Sequence, residues 1–332
     1  MGSLKLTHRD RMQALLFNEP LDRLPIALWR HFPVDDQDPT SLAVATLNYQ
    51  NIYEFDLVKV TPASSFCLKD WGAEDRWEGN PEGTRRYTKH VIHSPKDWEN
   101  LPLLYPSSTF LAQQLECLSI LRKQIDTNTP IIQTIFNPLS QAKNLAGGEL
   151  LLVHLRLFPE AVLQGLETIA KSTQMFIEAA IKTGIDGIFY AVQHAQAGLL
   201  TKSEYEHFGR QQDLQLLKTT ETLWCNMLHL HGTNVYFDMV NDYPVNIINW
   251  HDRDTSPSLQ EALLNYKGIM CGGLKRETIS LGTPSEISNE IKDAISQVNG
   301  SRLLLGTGCV VPCIAPHGNI MASRKLVDEY ES

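Results

Sequence analysis

The sequence has no apolar run long enough to span a bilayer, and its opening, "MGSLKLTHRDRMQALLF", lacks the continuous apolar core of a signal peptide. No membrane partner is expected, and the chain reads as cytoplasmic. It has no Lys/Arg cluster: 38 acidic residues outnumber 29 basic ones, for a formal net charge of −9. That balance speaks against a nucleic-acid partner but leaves room for a local basic pocket. The six cysteines (67, 117, 225, 271, 309 and 313) include no CxxC pair, so nothing indicates a zinc ribbon or a disulfide framework. No role is assigned to Cys271 or Cys313. GxxxxGK[ST], GxGxxG and GxSxG are all missing, which removes support for P-loop, dinucleotide and serine-hydrolase chemistry.

What is present is an ordinary globular composition, 42% hydrophobic and 20% charged. Short β-branched runs alternate with segments of helical period, the pattern of βα units. The strand candidates are "LPIALWR" (24–30), "DLVKVTP" (56–62), "PIIQTIFNP" (130–138), "DGIFYAVQ" (186–193), "WCNMLHLHG" (224–232), "VNIINWHD" (245–252), "GIMCGGL" (268–274) and "RLLLGTGC" (302–309). Helices are expected over 158–183 and over 284–298, the second capped by Thr283. Eight strands in this order predict an α/β fold, a (β/α)8 TIM barrel over residues 1–332 as one domain, with elaborated loops at its C-terminal face. Residues 63–105 read as a long loop or small hairpin over the barrel mouth, and 137–157 as a lid with a short helix.

Barrel enzymes gather their chemistry where strands end. Those ends supply Arg30 and His31, Thr61, Gln133 and Asn137, Gln193 and His194, His229 and His231, His251 and Asp252, Cys271, and Cys309. Strand residues i and i+2 point to one side, so His229 and His231 can converge on one point. Cys309 follows a Gly-Thr-Gly that lets a thiolate turn inward. His229, His231 and Cys309 are therefore candidate metal ligands, and nitrogen and sulfur donors favour zinc. A pair of hydrogen-bonded core histidines beside a packed thiol is the alternative. Asp252 can orient His251 or cap a loop. Asp35 and Asp36 read as a solvated helix turn.

Several stretches together resemble the uroporphyrinogen decarboxylase superfamily. "RMQALLFNEPLDRLPIALW" is similar to its entry into the first strand, and "HLHG", "INWHD", "CGGLKRETISLGTPSEISNEIKDAI" and "LLLGTGCVVPCIAPHGNIMA" follow in the superfamily's order, with Pro316 and Asn319 in the last. The resemblance implies the same barrel, with its site at the C-terminal face. Of its two chemistries, decarboxylation uses an arginine-rich R-Q-A-G-R-Y-like first loop and an aspartate after the second strand. Here the first loop, "ALWRHFPVDDQ", offers only Arg30, and "VKVTPASSF" ends without an aspartate. The other branch moves a methyl group between methylcobalamin and a thiol such as coenzyme M, and holds zinc through His-x-Cys and a later Cys. By that resemblance the ligands fall at His229, His231 (histidine replacing cysteine) and Cys309.

The resulting expectation is a zinc-dependent methyltransferase using a corrinoid, methylcobalamin, as methyl carrier, with a corrinoid protein as partner and a small-molecule substrate. Arg30, His31, His194 and His251 would act on or orient that substrate, and Gln133, Asn137, Gln193 and Asp252 would bind it. A decarboxylase of a tetrapyrrole or other carboxylated substrate, and a non-catalytic barrel binding a corrinoid or tetrapyrrole, are the two other readings.

Overall fold

The computed structural model describes residues 5–329. Among these residues there are nine strands: β1 (Val58–Val60), β2 (Glu74–Arg76), β3 (Arg86–Lys89), β4 (Ile131–Phe136), β5 (Gly187–Val192), β6 (Met227–Leu230), β7 (Ile247–Trp250), β8 (Ile269–Leu274) and β9 (Leu303–Thr307). Seven of them form one curled parallel sheet in the order β1-β4-β5-β6-β7-β8-β9, and β2 pairs with β3 as a separate antiparallel hairpin. Parallel neighbours require crossovers, and helices such as Pro159–Ile181 and Pro284–Gln297 supply them. Thr283 caps the second of these, with Glu286 completing a capping box as its spacing requires. Among the described residues, no helix is long and apolar enough to cross a membrane.

The expected first strand, 24–30, is not a strand of the sheet. It contributes one isolated bridge, Ile26 to Leu305. Pro25 has no N–H to give a ladder, and the Ile26 N–H donates to the Asp56 carboxylate at 2.9 Å. The segment is held by hydrogen bonds to both sheet edges, Ala27 N to Leu305 O at 3.0 Å and Asp56 N to Ile26 O at 2.9 Å. A second correction concerns 137–157. Instead of a lid, it forms two packed helices, Pro138–Ala146 and Gly148–Leu157, that bury Leu139, Ala142, Leu145, Leu151 and Leu155. The reading of 63–105 as a hairpin element holds, since β2 and β3 lie within it.

Two apolar clusters stabilise the sheet. The larger one lies between strands and helices and includes Leu166, Ile177, Ile188, Leu228 and Ile248. The smaller takes alternate strand residues from the other face: Leu57, Ile132, Phe189, Met227, Ile247, Ile269 and Leu304. Period two then places the residues of that inner face nearer the strands' C-terminal ends: Lys59 and Thr61, Thr134, His229 and His231, and Asn249 and His251. Polar side chains thus sit on an apolar floor.

At the opposite end an ionic network ties the first segments together. Asp56, fully buried, accepts from Arg11 at 2.7 Å and from Arg23 at 2.7 and 2.9 Å, while Arg11 also clasps Asp22 at 2.6 and 2.7 Å. Burial disfavours the Asp56 carboxylate, but His8 and the two guanidiniums outweigh that and hold its carboxyl below the usual range. Stability from this group is complete above the unfolded carboxyl's pKa of about 4 and is lost as pH falls toward the lower folded value. Asp56→Ala, which strands two buried guanidiniums, is expected to cost ~3–5 kcal/mol in urea unfolding. Asp56→Asn is expected to lose less stability than wild type between about pH 5 and pH 3. A loss below about 1 kcal/mol, or parallel acid profiles, contradicts this role for the network.

Candidate metal centre and its cavity

His229 lies inside β6 and His231 just beyond it, where the backbone N–H of His231 still donates to Val192 O at 2.9 Å. His251 follows β7 directly, and Cys309 lies two residues past the end of β9. One ligand atom from each of these four residues lies within 4.8 Å of the other three. The Cys309 Sγ is 3.9 Å from His231 Nδ1, and the three imidazole centroids are 5.3–6.1 Å apart. Gly308 is required for this convergence. A Cβ there would stand 2.7 Å from His251 Cα and 2.9 Å from Trp250 O, so only glycine lets the β9 turn pass so close to β7.

The hydrogen-bond network sets the His229 tautomer. The Asn249 Nδ2 donates to Cys271 O at 2.9 Å and Thr307 O at 3.0 Å, which leaves Oδ1 as the atom 2.7 Å from His229 Nδ1. An amide oxygen only accepts, so Nδ1 carries the proton and Nε2 carries the lone pair. Among the described residues that buried Nε2 has no hydrogen-bond partner, and neither has His251 Nε2. The His251 Nδ1 lies 3.7 Å from Asp254. Burial pushes the His229 pKa down, toward the neutral form a ligand needs. Burial works against the Cys309 thiolate, but the adjoining His229, His231 and His251 outweigh it and hold the thiol well below its ordinary value. Three imidazoles and a thiolate, with the His229 lone pair free and a second unpartnered ring nitrogen on His251, fit zinc.

His229, His231 and Cys309 open onto a cavity of about 340 Å³ whose wall also includes Trp29, His31, Lys59, Thr61, Lys143, Phe189 and Gln193. The hairpin region closes one side with Glu82, Gly83, Thr84, Arg85 and Tyr87. His31 is driven down to about 4 by its burial and by Lys59, so it is neutral. Gln193 accepts from Lys143 at 3.3 Å.

Other strand-end residues lie elsewhere. Arg30 is outside the cavity wall, with its guanidinium 5.7 Å from the Phe32 ring. Gln133 is spent on Gln114 and on Thr134 O. Asn137 caps the helix Pro138–Ala146 and donates to Asp213. His194, with Nδ1 unpartnered, is buried outside the wall and pushed down to about 3 by burial, with Lys143 adding to this. Asp252 accepts from Gly273 N at 3.0 Å, and burial raises its pKa to about 7. Cys271 is buried in β8, and the Cys313 thiol faces His31 O at 3.5 Å. Asp36, read as solvated, pairs with Arg85 at 3.2 Å.

Two residues of the site are not strand-tip residues. Asn249 precedes His251 by two, and Lys59 precedes Thr61 by two. Each shares the inward face of its strand. Lys59 is buried, 4.3 Å from the centre of the Phe189 ring, with its pKa pushed down to about 7 by burial.

The fold is a curled parallel α/β sheet with the candidate metal centre at the strands' C-terminal ends. The chain belongs to the uroporphyrinogen decarboxylase (URO-D) family, whose model matches residues 7–330. Among solved structures, a methyltransferase from Methanosarcina mazei matches with a TM-score of 0.86 at 18% identity, covering 98% of this chain and 100% of that one. A B12-independent methionine synthase from Shewanella sp. W3-18-1, in complex with selenomethionine, matches at 0.61 and 15%, covering 92% and 95%. A putative vitamin-B12-independent methionine synthase from Listeria monocytogenes matches at 0.56 and 11%, covering 93% and 98%. At such identities the likeness is one of fold. No curated protein matches the chain.

The Asn249 bridge makes a specific prediction. Asn249→Leu removes the acceptor that sets the His229 tautomer, and zinc affinity is expected to fall about 10–100-fold by competition with a chromogenic chelator. Gly308→Ala is expected to weaken zinc binding through displacement of Cys309. Unchanged affinity in both variants contradicts the assignment.

Proposed function

We propose that this chain is a zinc-dependent, methyltransferase-like enzyme that moves a methyl group between a corrinoid and a thiol or similar acceptor. The observation that carries the reading is the four-donor cluster with three members facing a cavity. His229, His231 and Cys309 would hold the zinc from the cavity side, and His251, which reaches the cluster without lining the cavity, could supply a fourth donor. When bound, zinc lowers the pKa of an incoming thiol so that its anion exists at neutral pH. Asn249 fixes the direction of the His229 lone pair. His31, Lys59, Thr61, Lys143 and Gln193 hold the substrate, and the hairpin limits water. The fold neighbours named as a methyltransferase and as methionine synthases support methyl transfer. Two are named B12-independent, so the methyl donor is best tested with and without a corrinoid.

Arg30, the one arginine of the first loop, does not line the cavity in which a decarboxylase would need to grip a tetrapyrrole carboxylate. Decarboxylation of uroporphyrinogen is therefore the weaker reading.

Protein purified without chelator is expected to carry about one zinc per chain and to lose it in His229→Ala and Cys309→Ala. Zinc-loaded protein is expected to methylate a thiol from methylcobalamin or from a non-corrinoid methyl donor. Absence of zinc after supplementation contradicts the metal reading, and absence of transfer from either donor contradicts the activity. Coproporphyrinogen formation above roughly 0.1 per second in an anaerobic assay would restore the decarboxylase.

A further inference from the structure

Asp213, on the helix Gln211–Lys218, is fully buried and does not line the cavity. Among the described residues it has no cation within ion-pair distance, and neutral donors surround it. The hydroxyls of Tyr190, Tyr205 and Tyr243 lie 2.8, 2.7 and 3.0 Å from its oxygens, and Asn137 Nδ2 donates to it at 3.0 Å. Burial raises its pKa, and these four donors oppose the rise. An apolar side chain would fill such a place at less cost. A buried and fully donated carboxylate instead specifies one arrangement of the groups it joins.

From Asn137 the hydrogen bonds continue toward the site, and main-chain groups fix their direction. The Ser140 N–H donates to Asn137 Oδ1 at 2.9 Å, so Nδ2 is the atom left to face Asp213. The Gln193 N–H donates to Ser140 Oγ at 3.1 Å, and the Ser140 hydroxyl in turn donates to Asn137 Oδ1. The Gln193 carbonyl accepts from Gln196 Nε2 at 2.7 Å, and the same nitrogen reaches His231 O at 3.2 Å. Gly232 makes room for that carboxamide. Its φ is +103°, and a Cβ there would stand 2.4 Å from Gln196 Nε2. Through Gln193, then, the chain of bonds runs without a gap from Asp213 to the main chain of His231. Gln193 also holds Lys143 on the cavity wall at 3.3 Å.

Resting on the metal reading for His231, we infer that Asp213 is a positioning residue for the centre. Through Asn137 and Ser140 it fixes the main chain of Gln193, and through Gln196 that of His231. A carboxylate outside the cavity thus sets where one metal donor and one wall residue stand. Small displacements of a donor weaken a metal site, which is why such supporting bonds matter.

Three variants test it. Asp213→Asn keeps the size of the side chain but turns an N–H toward neighbours that already donate. Ser140→Ala breaks the chain at its middle and leaves the tyrosines in place, so it decides the test even where Asp213→Asn does not fold. Tyr190→Phe is the control, since it removes a donor to Asp213 but spares the Asn137 bond. Amide hydrogen exchange is read on the metal-free proteins, with the β8 amides as internal reference. The Gln193 amide is expected to exchange about fivefold or more faster in Asp213→Asn and Ser140→Ala, the scale of one hydrogen bond, and at the wild-type rate in Tyr190→Phe. The second readout is the visible absorption of the cobalt(II)-loaded proteins, which reports donor geometry. The bands are expected to shift alike in Asp213→Asn and Ser140→Ala, no further in the double variant, and not at all in Tyr190→Phe. Wild-type Gln193 exchange in the first two variants, or an equal change in Tyr190→Phe, overturns the inference. Faster exchange with an unaltered cobalt spectrum overturns it too, because the chain then stops short of His231. A wild-type protein that takes up no cobalt rejects the metal reading alone, and exchange at Gln193 and His231 then decides the positioning role.

Discussion

The Asn249 side chain has one way to sit, and the arrangement of the site follows from it. Two main-chain carbonyls, from β8 and β9, take both of its N–H groups, so its oxygen has to face β6. The amide thus joins the inner faces of four strands and presents the His229 lone pair away from the sheet wall. Fully buried, it has no water to substitute for any of these partners. A metal centre built on rigid strands, with its neighbouring hydrogen bonds already made, costs little to organise when the ion arrives.

The two ends of the sheet handle buried charge in opposite ways. At the entry end, Arg11, Arg23, Asp22 and Asp56 satisfy one another and leave little unpaired. At the other end, among the described residues, His229 Nε2, His251 Nε2, His31 Nδ1 and His194 Nδ1 have no hydrogen-bond partner, and Lys59 has no carboxylate within ion-pair distance. A fold stabilised at one end can carry unsatisfied groups at the other, where a ligand rather than the protein completes them.

Much of this was legible in the chain because period two is a strong constraint. The alternation of His229 and His231 with Leu228 and Leu230 determines which side each ring takes, and the order of βα units places Cys309 near them. The family likeness agreed over nearly the whole chain. What escaped the sequence depends on distant partners. Gln133 and Asn137 look like site residues at strand ends, but Gln114 and Asp213, far away in the chain, claim them. The first strand candidate has suitable composition, yet Pro25 and the Asp56 carboxylate remove it from the ladder. Residues 137–157 read as a lid with a short helix, yet the polar Gln141, Asn144 and His154 are buried there along with the apolar residues. Lys59 and Asn249 were within reach of the same alternation, one step down from the strand tips.

The proposed centre is a zinc ion held by imidazoles and one thiolate, with a place for a thiol. X-ray absorption at the zinc edge tests it most directly. A shell of nitrogen at about 2.0–2.1 Å and a single sulfur at about 2.3 Å is predicted for the resting protein. Addition of a thiol acceptor is predicted to raise the sulfur count to two, with one imidazole lost. A shell without sulfur, or one unchanged by thiol at saturating concentration, would contradict the account.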